Sequence, residues 1–263
     1  MHEMPVTVFN HTCGQHVHVG RGTDGFELPA LQRLVSVLWI GGEEILNAVH
    51  PAYRTNGVFC PSLHTSTLLA KGKAARPQGV LQADWLQRCG VTEDDEASVS
   101  LRAKLEAIWS AGSVYELCDM LVGDCKREPA YNFANLKPPT DDPAGISFAH
   151  LIPRRPPPEE FPIEEFPFDD DPADKKITIE FRQAGGDIKG DSGFEFVMAW
   201  VRVATGLVAW AIDTDAEDFA KVARDIHESR GENKAFRVGT FLNAIGIPGG
   251  DIERMMARVA QLE

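Results

Sequence analysis

The sequence has no excess of basic residues. It contains 26 Lys and Arg against 39 Asp and Glu, so the 263-residue chain carries a formal net charge of −13 at pH 7. Sequence-independent binding to nucleic acids and to anionic membranes depends on basic patches. We therefore expect neither a nucleic-acid partner nor a membrane partner.

Cysteines are few, odd in number and scattered. None of them belongs to a C-x-x-C pair, which argues against both a disulfide framework and a zinc ribbon. The five are Cys13, Cys60, Cys89, Cys118 and Cys125.

Long apolar runs and targeting signals are also lacking. No apolar run approaches the roughly 20 residues that span a bilayer. The first ten residues, MHEMPVTVFN, show no charged region followed by an apolar one, so no secretory signal is visible. We therefore expect a cytoplasmic protein. With 43% hydrophobic and 25% charged residues, the chain can bury a core without disulfides.

Hydrophobic periodicity indicates a mixture of helices and strands, in a chain long enough for one large domain or two small ones. Its composition changes at about 138–174, where RRPPPEEFP and FPFDDDP combine proline with like charges, which predicts a loop or disordered insert. Helical spacing runs from Pro29 to Ile45, and again after two predicted capping boxes, Thr92 with Asp95 and Ser113 with Glu116. Further helices are predicted from about residue 192 onwards. The predicted strands are Val6–Phe9, Gln15–Val19, Tyr131–Leu136 and Ile177–Arg182.

Two of these strands carry ionisable side chains on one face. The two-residue period puts His16 and His18 on the same side of the segment C-G-Q-H-V-H-V-G. The same period groups Thr178, Glu180 and Arg182 in I-T-I-E-F-R-Q. If both strands belong to one antiparallel sheet, two imidazoles, a carboxylate and a guanidinium converge. Imidazole and carboxylate are metal ligands, and guanidinium neutralises phosphate oxygens, so the set suits phosphoryl transfer.

Each motif also has a plainer interpretation. An H-x-H pair on a half-exposed strand is commonly solvated, and an E-x-R pair is commonly a cross-strand ion pair. No serine or cysteine nucleophile has recognisable partners. A zinc-dependent hydrolase using His16, His18 and Glu180 ranks last, because nothing in the sequence indicates its outer-shell residues.

Four short motifs resemble those of the fungal and bacterial amidoligases, and they follow one another in the same order as in that family. The amidoligases belong to the glutamine synthetase/γ-glutamylcysteine synthetase superfamily. The resemblance covers most of the chain. It implies a single amidoligase-like domain over residues 1–263. The implied fold is α+β, with a partial antiparallel sheet of the glutamine-synthetase catalytic type and helices packed on one side. The motifs are N-H-T-C-G-Q-H-V-H-V-G at 10–20, H-P-A-Y-R-T-N at 50–56, Y-N-F-A-N-L at 131–136 and I-E-F-R-Q at 179–183.

The activity that the resemblance implies is ATP-dependent carboxylate–amine ligation through an acyl phosphate, with Mg²⁺ or Mn²⁺. By this likeness, His16 and Glu180 would be metal ligands. The cofactor-binding residues would be His16, His18 and Arg182, at the nucleotide and its transferred phosphate, and the catalytic residues would be Arg182, His18 and Glu180. Arg54 is a weaker candidate, for a substrate carboxylate. The implied partners are small-molecule or peptide carboxylates and amines, and an oligomer is compatible with the family.

The sequence departs from the family in one respect. Members carry an F-G-x-E-x-E strand ahead of the histidine strand, whereas Glu3 is the sole acid before His16 here. Magnesium prefers oxygen ligands in near-octahedral geometry, so His16 and Glu180 alone would bind it weakly. We therefore expect a chain that is N-terminally truncated relative to the family, with impaired activity. The alternative is a non-catalytic binding or interaction module that keeps the fold.

Overall fold

The structure is a computed structural model that describes residues 14–22, 24–55, 60–72, 88–91, 96–122, 129–136, 177–186 and 190–263. Three predictions lie outside these ranges. They are the strand Val6–Phe9, the capping box of Thr92 with Asp95, and the insert at 138–174.

The described strands form one antiparallel sheet in the order β1–β3–β2. They are β1 (Val17–Gly20), β2 (Tyr131–Asn132) and β3 (Thr178–Phe181). β3 lies in the centre and pairs with both neighbours. Ile179 and Phe181 are fully buried on the apolar face, as their alternation predicts. Together with the helices, this sheet confirms the α+β class.

The predicted strand Tyr131–Leu136 is wrong beyond Asn132. The chain leaves the sheet there and forms a 3₁₀ turn at Ala134–Leu136. The side chain of Asn132 causes this change of direction, since its Oδ1 accepts a 2.9 Å hydrogen bond from the N–H of Ala134.

The helices surround the apolar face of the sheet. Their bounds are α1 Leu28–Val37, α2 Glu43–Asn47, α3 Ala52–Thr55, α4 Leu63–Ser66, α5 Glu96–Ser110, α6 Val114–Leu121, α7 Gly190–Asp213, α8 Ala216–Glu228, α9 Lys234–Ala244 and α10 Gly249–Leu262.

The predicted helix from Pro29 to Ile45 is interrupted. A π-helical turn at Leu38–Gly42 separates α1 from α2, and Gly41 within it has a φ of 157°. A Cβ at Gly41 would lie 2.8 Å from Cγ2 of Ile226, so α8 packs too closely there for a side chain. The kink thus lies at the Gly41–Gly42 pair in a π-helical turn, and the contact with α8 excludes a side chain there.

An aromatic row joins the helices to the sheet. The ring of Trp200, in α7, lies edge-on to His50 at 4.3 Å between centroids and to Phe181 at 6.2 Å. Phe181 in turn meets Tyr131 of β2 at 5.4 Å. All four side chains are buried, so this row holds α7 and the turn before α3 against the apolar face of the sheet.

Within the described ranges, one helical segment, Gly193–Asp213, is long and apolar enough to cross a membrane. The expectation that no apolar run approaches this length is therefore wrong for this segment, in which Glu195 and Arg202 are spaced widely. The helix packs against α1, β1 and α10, and Trp200 on it is fully buried. Of its most apolar 18-residue window, 39% is buried inside the protein.

Candidate functional site

The two strands that carry ionisable side chains are neighbours in the sheet. His18 on β1 is directly opposite Glu180 on β3. Oε1 of Glu180 lies 2.7 Å from His16 Nδ1, 3.8 Å from His18 Nε2 and 2.9 Å from Arg182 Nη1. The prediction that these four side chains share one face is confirmed. We call His16, His18, Glu180 and Arg182 the polar cluster.

Glu180 lies at the bottom of the polar cluster, where it is 5% exposed. Its second oxygen, Oε2, accepts a 3.0 Å hydrogen bond from Nδ2 of Asn132 on β2. The side chains of His16 and His18 are 37% and 46% exposed. The carboxylate therefore anchors the cluster from within, while the imidazoles form its open rim.

His16 is held as a neutral imidazole near pH 7. Partial burial is the main cause of its lowered pKa, and the positive charge of Arg182 lowers it further, against the opposing effect of Glu180. The 2.7 Å contact with the carboxylate places the ring proton on Nδ1, because a neutral imidazole has one N–H. Nε2 then carries the lone pair.

His18 is oriented by a neighbour on its own face of the sheet. Its Nδ1 lies 3.2 Å from Oγ1 of Thr178, the residue that the two-residue period groups with Glu180. Because this contact engages Nδ1, the opposite nitrogen, Nε2, is turned towards Glu180.

Arg54, in α3, contacts the polar cluster at the main chain of Arg182. The residue is 2% exposed, and its Nη2 donates a 2.8 Å hydrogen bond to the carbonyl oxygen of Arg182. Sγ of Cys60 donates to the same oxygen at 2.8 Å. Burial raises the pKa of the Cys60 thiol, which favours its role as an S–H donor. All five predicted site residues therefore lie together.

Two contributors to the site were not assigned a role from the sequence. Asn132 pairs with Glu180 in the β2–β3 register and occupies one of its oxygens. Its place between Tyr131 and Phe133 in an extended segment is a signal that could have indicated the polar face. Cys60 has no such signal, because its partner Arg182 lies 122 residues further along the sequence.

The described residues do not form a site for Mg²⁺ or Mn²⁺. Among them, no group of three or more His, Cys, Asp and Glu is placed to hold a metal ion. Both oxygens of Glu180 already accept from N–H donors, whereas magnesium needs several oxygen ligands. The metal-ligand roles of His16 and Glu180 stay predictions. Phosphate is a better match, since guanidinium and imidazole N–H groups bind its oxygens.

Comparison of the chain with protein-family models, with curated proteins and with solved structures finds no match. The resemblance to amidoligases therefore stays a prediction that depends on the four sequence motifs.

Proposed function

We propose that this chain is an ATP-dependent carboxylate–amine ligase of the amidoligase kind, with a glutamine-synthetase-like sheet and a cytoplasmic location. The observation that carries the proposal is the direct pairing of the H-V-H-V strand with the E-F-R-Q strand, with His18 opposite Glu180. That pairing builds a surface of two imidazoles and a guanidinium around one buried carboxylate.

Each member of the cluster has a distinct part in this chemistry. Arg182 and the His18 imidazole offer N–H donors to phosphate oxygens at the open rim, where the protein stabilises charge rather than supplying a covalent partner. Glu180 orients Arg182 and His16, because its Oε1 bonds Arg182 Nη1 and His16 Nδ1. ATP supplies the phosphoryl group that activates the carboxylate substrate.

The ligation step conserves all atoms. The amine nitrogen forms a bond with the acyl carbon of the acyl phosphate, the bond from that carbon to the phosphate oxygen breaks, and the nitrogen gives up a proton. Inorganic phosphate and an amide result. The substrates are a small-molecule or peptide carboxylate and an amine.

One observation favours a second candidate, a non-catalytic module that binds the nucleotide or another phosphate compound. Both oxygens of Glu180 are occupied by protein donors, and the described residues lack a set of metal ligands. Without the metal, the rim of the cluster would still bind phosphate but would offset less of its charge during transfer.

The test measures ADP release from ATP, with Mg²⁺ or Mn²⁺, in pooled carboxylates and amines. Hydroxylamine is added in parallel to trap an acyl phosphate as a hydroxamate. Arg182→Ala removes the guanidinium, and the matched control Arg102→Ala removes one from α5, where it pairs with Glu106. ADP release that requires both substrates and is lost only in Arg182→Ala supports the ligase. ATP binding without release supports the module, and neither binding nor release overturns both.

A further inference from the structure

The pairing between the segment that contains β1 and the segment that contains β3 shifts by one residue beside the polar cluster. Val17 pairs with Phe181, whereas Gly14, before β1, forms a bridge with Gly185, after β3. Two residues separate Gly14 from Val17, and three residues separate Phe181 from Gly185. The main-chain hydrogen bond from Gln15 to Ala184, 2.9 Å long, belongs to the shifted register.

This extra residue makes a β-bulge in which His16 faces both Arg182 and Gln183. Bulges re-aim side chains and commonly lie beside functional sites. Arg182 is in the bulge, and its side chain bonds back to Glu180, two residues earlier in the chain. The direction of the Arg182 guanidinium therefore depends on how the bulge is held.

The main chain of Arg182 has partners outside β1. Its N–H donates to the carbonyl oxygen of Ala130 at 3.0 Å. Its carbonyl oxygen accepts 2.8 Å hydrogen bonds from Arg54 Nη2 and from Cys60 Sγ. A buried carbonyl needs such partners, because leaving it unsatisfied costs free energy.

We propose that Arg54 and Cys60 form a bulge latch, which fixes the Arg182 carbonyl and thereby aims the Arg182 guanidinium at Glu180. Arg54 is then a positioning residue and not the group that binds a substrate carboxylate. Its 2% exposure and its hydrogen bond to the main chain both favour this role. The geometric part of the inference is independent of the reaction, and its consequence for phosphate binding rests on the proposed function.

Two glycines, Gly14 and Gly185, leave space beside the bulge latch. A Cβ at Gly14 would lie 2.6 Å from Arg54 Nη2 and 3.2 Å from His16 Nε2, so a glycine is needed where the guanidinium passes. A Cβ at Gly185 would lie 3.3 Å from the hydroxyl of Tyr53, the neighbour of Arg54 in α3. The two glycines of the bridge thus allow α3 to lie against the bulge.

The experiment uses the full chain and pyrophosphate as the probe. Arg54→Met removes the guanidinium donor, and Arg54→Lys keeps the charge without the planar fork. Cys60→Val removes the thiol, which donates to the Arg182 carbonyl and accepts from Arg54 Nη2 at 3.4 Å. The matched control is Arg33→Met, because Arg33 also anchors main-chain carbonyls, at Ala211 and Ile212, but far along the chain from the cluster. Pyrophosphate affinity is measured by calorimetry, and imidazole ¹⁵N shifts of His16 and His18 by NMR.

We expect Arg54→Met to weaken pyrophosphate binding about tenfold and to move the His16 ring shifts, with smaller changes in Cys60→Val and none in Arg33→Met. In an Arg182→Ala background, Arg54→Met should cause no further loss, because the latch acts through Arg182. An equal loss in both backgrounds would mean that Arg54 binds the anion itself and would overturn the latch.

The NMR measurement separates this inference from the proposed function. If the parent chain binds no pyrophosphate, the proposed function fails while the histidine shifts still report on the bulge. Unchanged His16 and His18 shifts in folded Arg54→Met and Cys60→Val would overturn the latch whatever the affinity for phosphate.

Discussion

His18 and Glu180 stand directly opposite each other on β1 and β3, and His18 Nε2 lies 3.8 Å from Glu180 Oε1. The carboxylate of this pair is almost completely buried, and it is bonded by Arg182, by His16 and by Asn132. A buried charge is tolerated only when it is paired and hydrogen-bonded. The polar cluster is therefore important for stability as well as for any ligand.

Glu180→Gln should lower the free energy of unfolding by about 3 kcal/mol, because it removes the buried carboxylate that pairs with Arg182. Urea denaturation measures the loss. The matched control is Asp225→Asn in the exposed Lys221–Asp225 pair, which should cost less than about 0.5 kcal/mol. Equal losses in the two variants would show that the buried carboxylate adds no more stability than a surface pair.

His50 should make stability fall in acid. Complete burial lowers its pKa from 6.5 to about 3, with Arg258 and Arg54 contributing. Between these two values the unfolded chain binds a proton that the folded chain does not, so stability present above pH 6.5 is lost as pH falls towards 3. The slope attributable to this group is about 1.4 kcal/mol per pH unit.

His50→Leu tests this linkage. The variant loses the edge contact with Trp200, so its stability at pH 7.5 is expected to be lower, but its decline towards acid should be shallower than that of the parent. Urea denaturation at half-unit steps from pH 7.5 to 4 gives both slopes. Identical slopes would mean that His50 is protonated in the folded chain, contrary to its burial.

How far the sequence predicts this site depends on the range of each interaction. The two-residue period is local, and it was sufficient to group His16 with His18 and Glu180 with Arg182. The bulge was not predictable, because it is a mismatch between two strands far apart in sequence. Contact between Arg54 and the Arg182 carbonyl depends on that mismatch, so the role of Arg54 could not be read from its motif.

The same distinction applies to the helices. Ser113 was predicted to cap α6, and its Oγ accepts a 3.1 Å hydrogen bond from the N–H of Glu116. In a capping box the Glu116 carboxylate would accept from the N–H of Ser113. Here its Oε2 accepts instead from the N–H of Gly112, at 2.8 Å. Local capping was predictable in kind, whereas apolar periodicity ran on through the kink at Gly41 and did not predict it.

Asp215 caps α8 and should be the most sensitive cap to test. Its Oδ1 accepts 2.9 Å hydrogen bonds from the N–H groups of both Glu217 and Asp218. Asp215→Ala should lower the free energy of unfolding by about 1 kcal/mol, whereas Asp215→Asn should retain most of the cap. Thermal denaturation of both variants distinguishes them, and equal losses would assign the effect to charge instead of to hydrogen bonding.

Asn132→Asp should create the divalent-cation site that the described residues lack. Nδ2 of Asn132 lies 3.0 Å from Oε2 of Glu180, so the substitution puts a second carboxylate beside the first. The other oxygen of Glu180, Oε1, lies 2.7 Å from His16 Nδ1 and 3.8 Å from His18 Nε2. Two adjacent carboxylates repel each other, and a bound cation relieves that repulsion. We expect Mn²⁺ affinity to rise at least about tenfold over the parent. The increase is measured from free Mn²⁺ by electron paramagnetic resonance, with Asn243→Asp, on the exposed side of α9, as the matched control. If the parent chain already binds Mn²⁺ tightly and Glu180→Gln abolishes that binding, then His16 and Glu180 suffice as ligands. In that case the metal displaces the hydrogen-bond donors from Glu180, and a count of free carboxylate oxygens underestimates the metal affinity of this site.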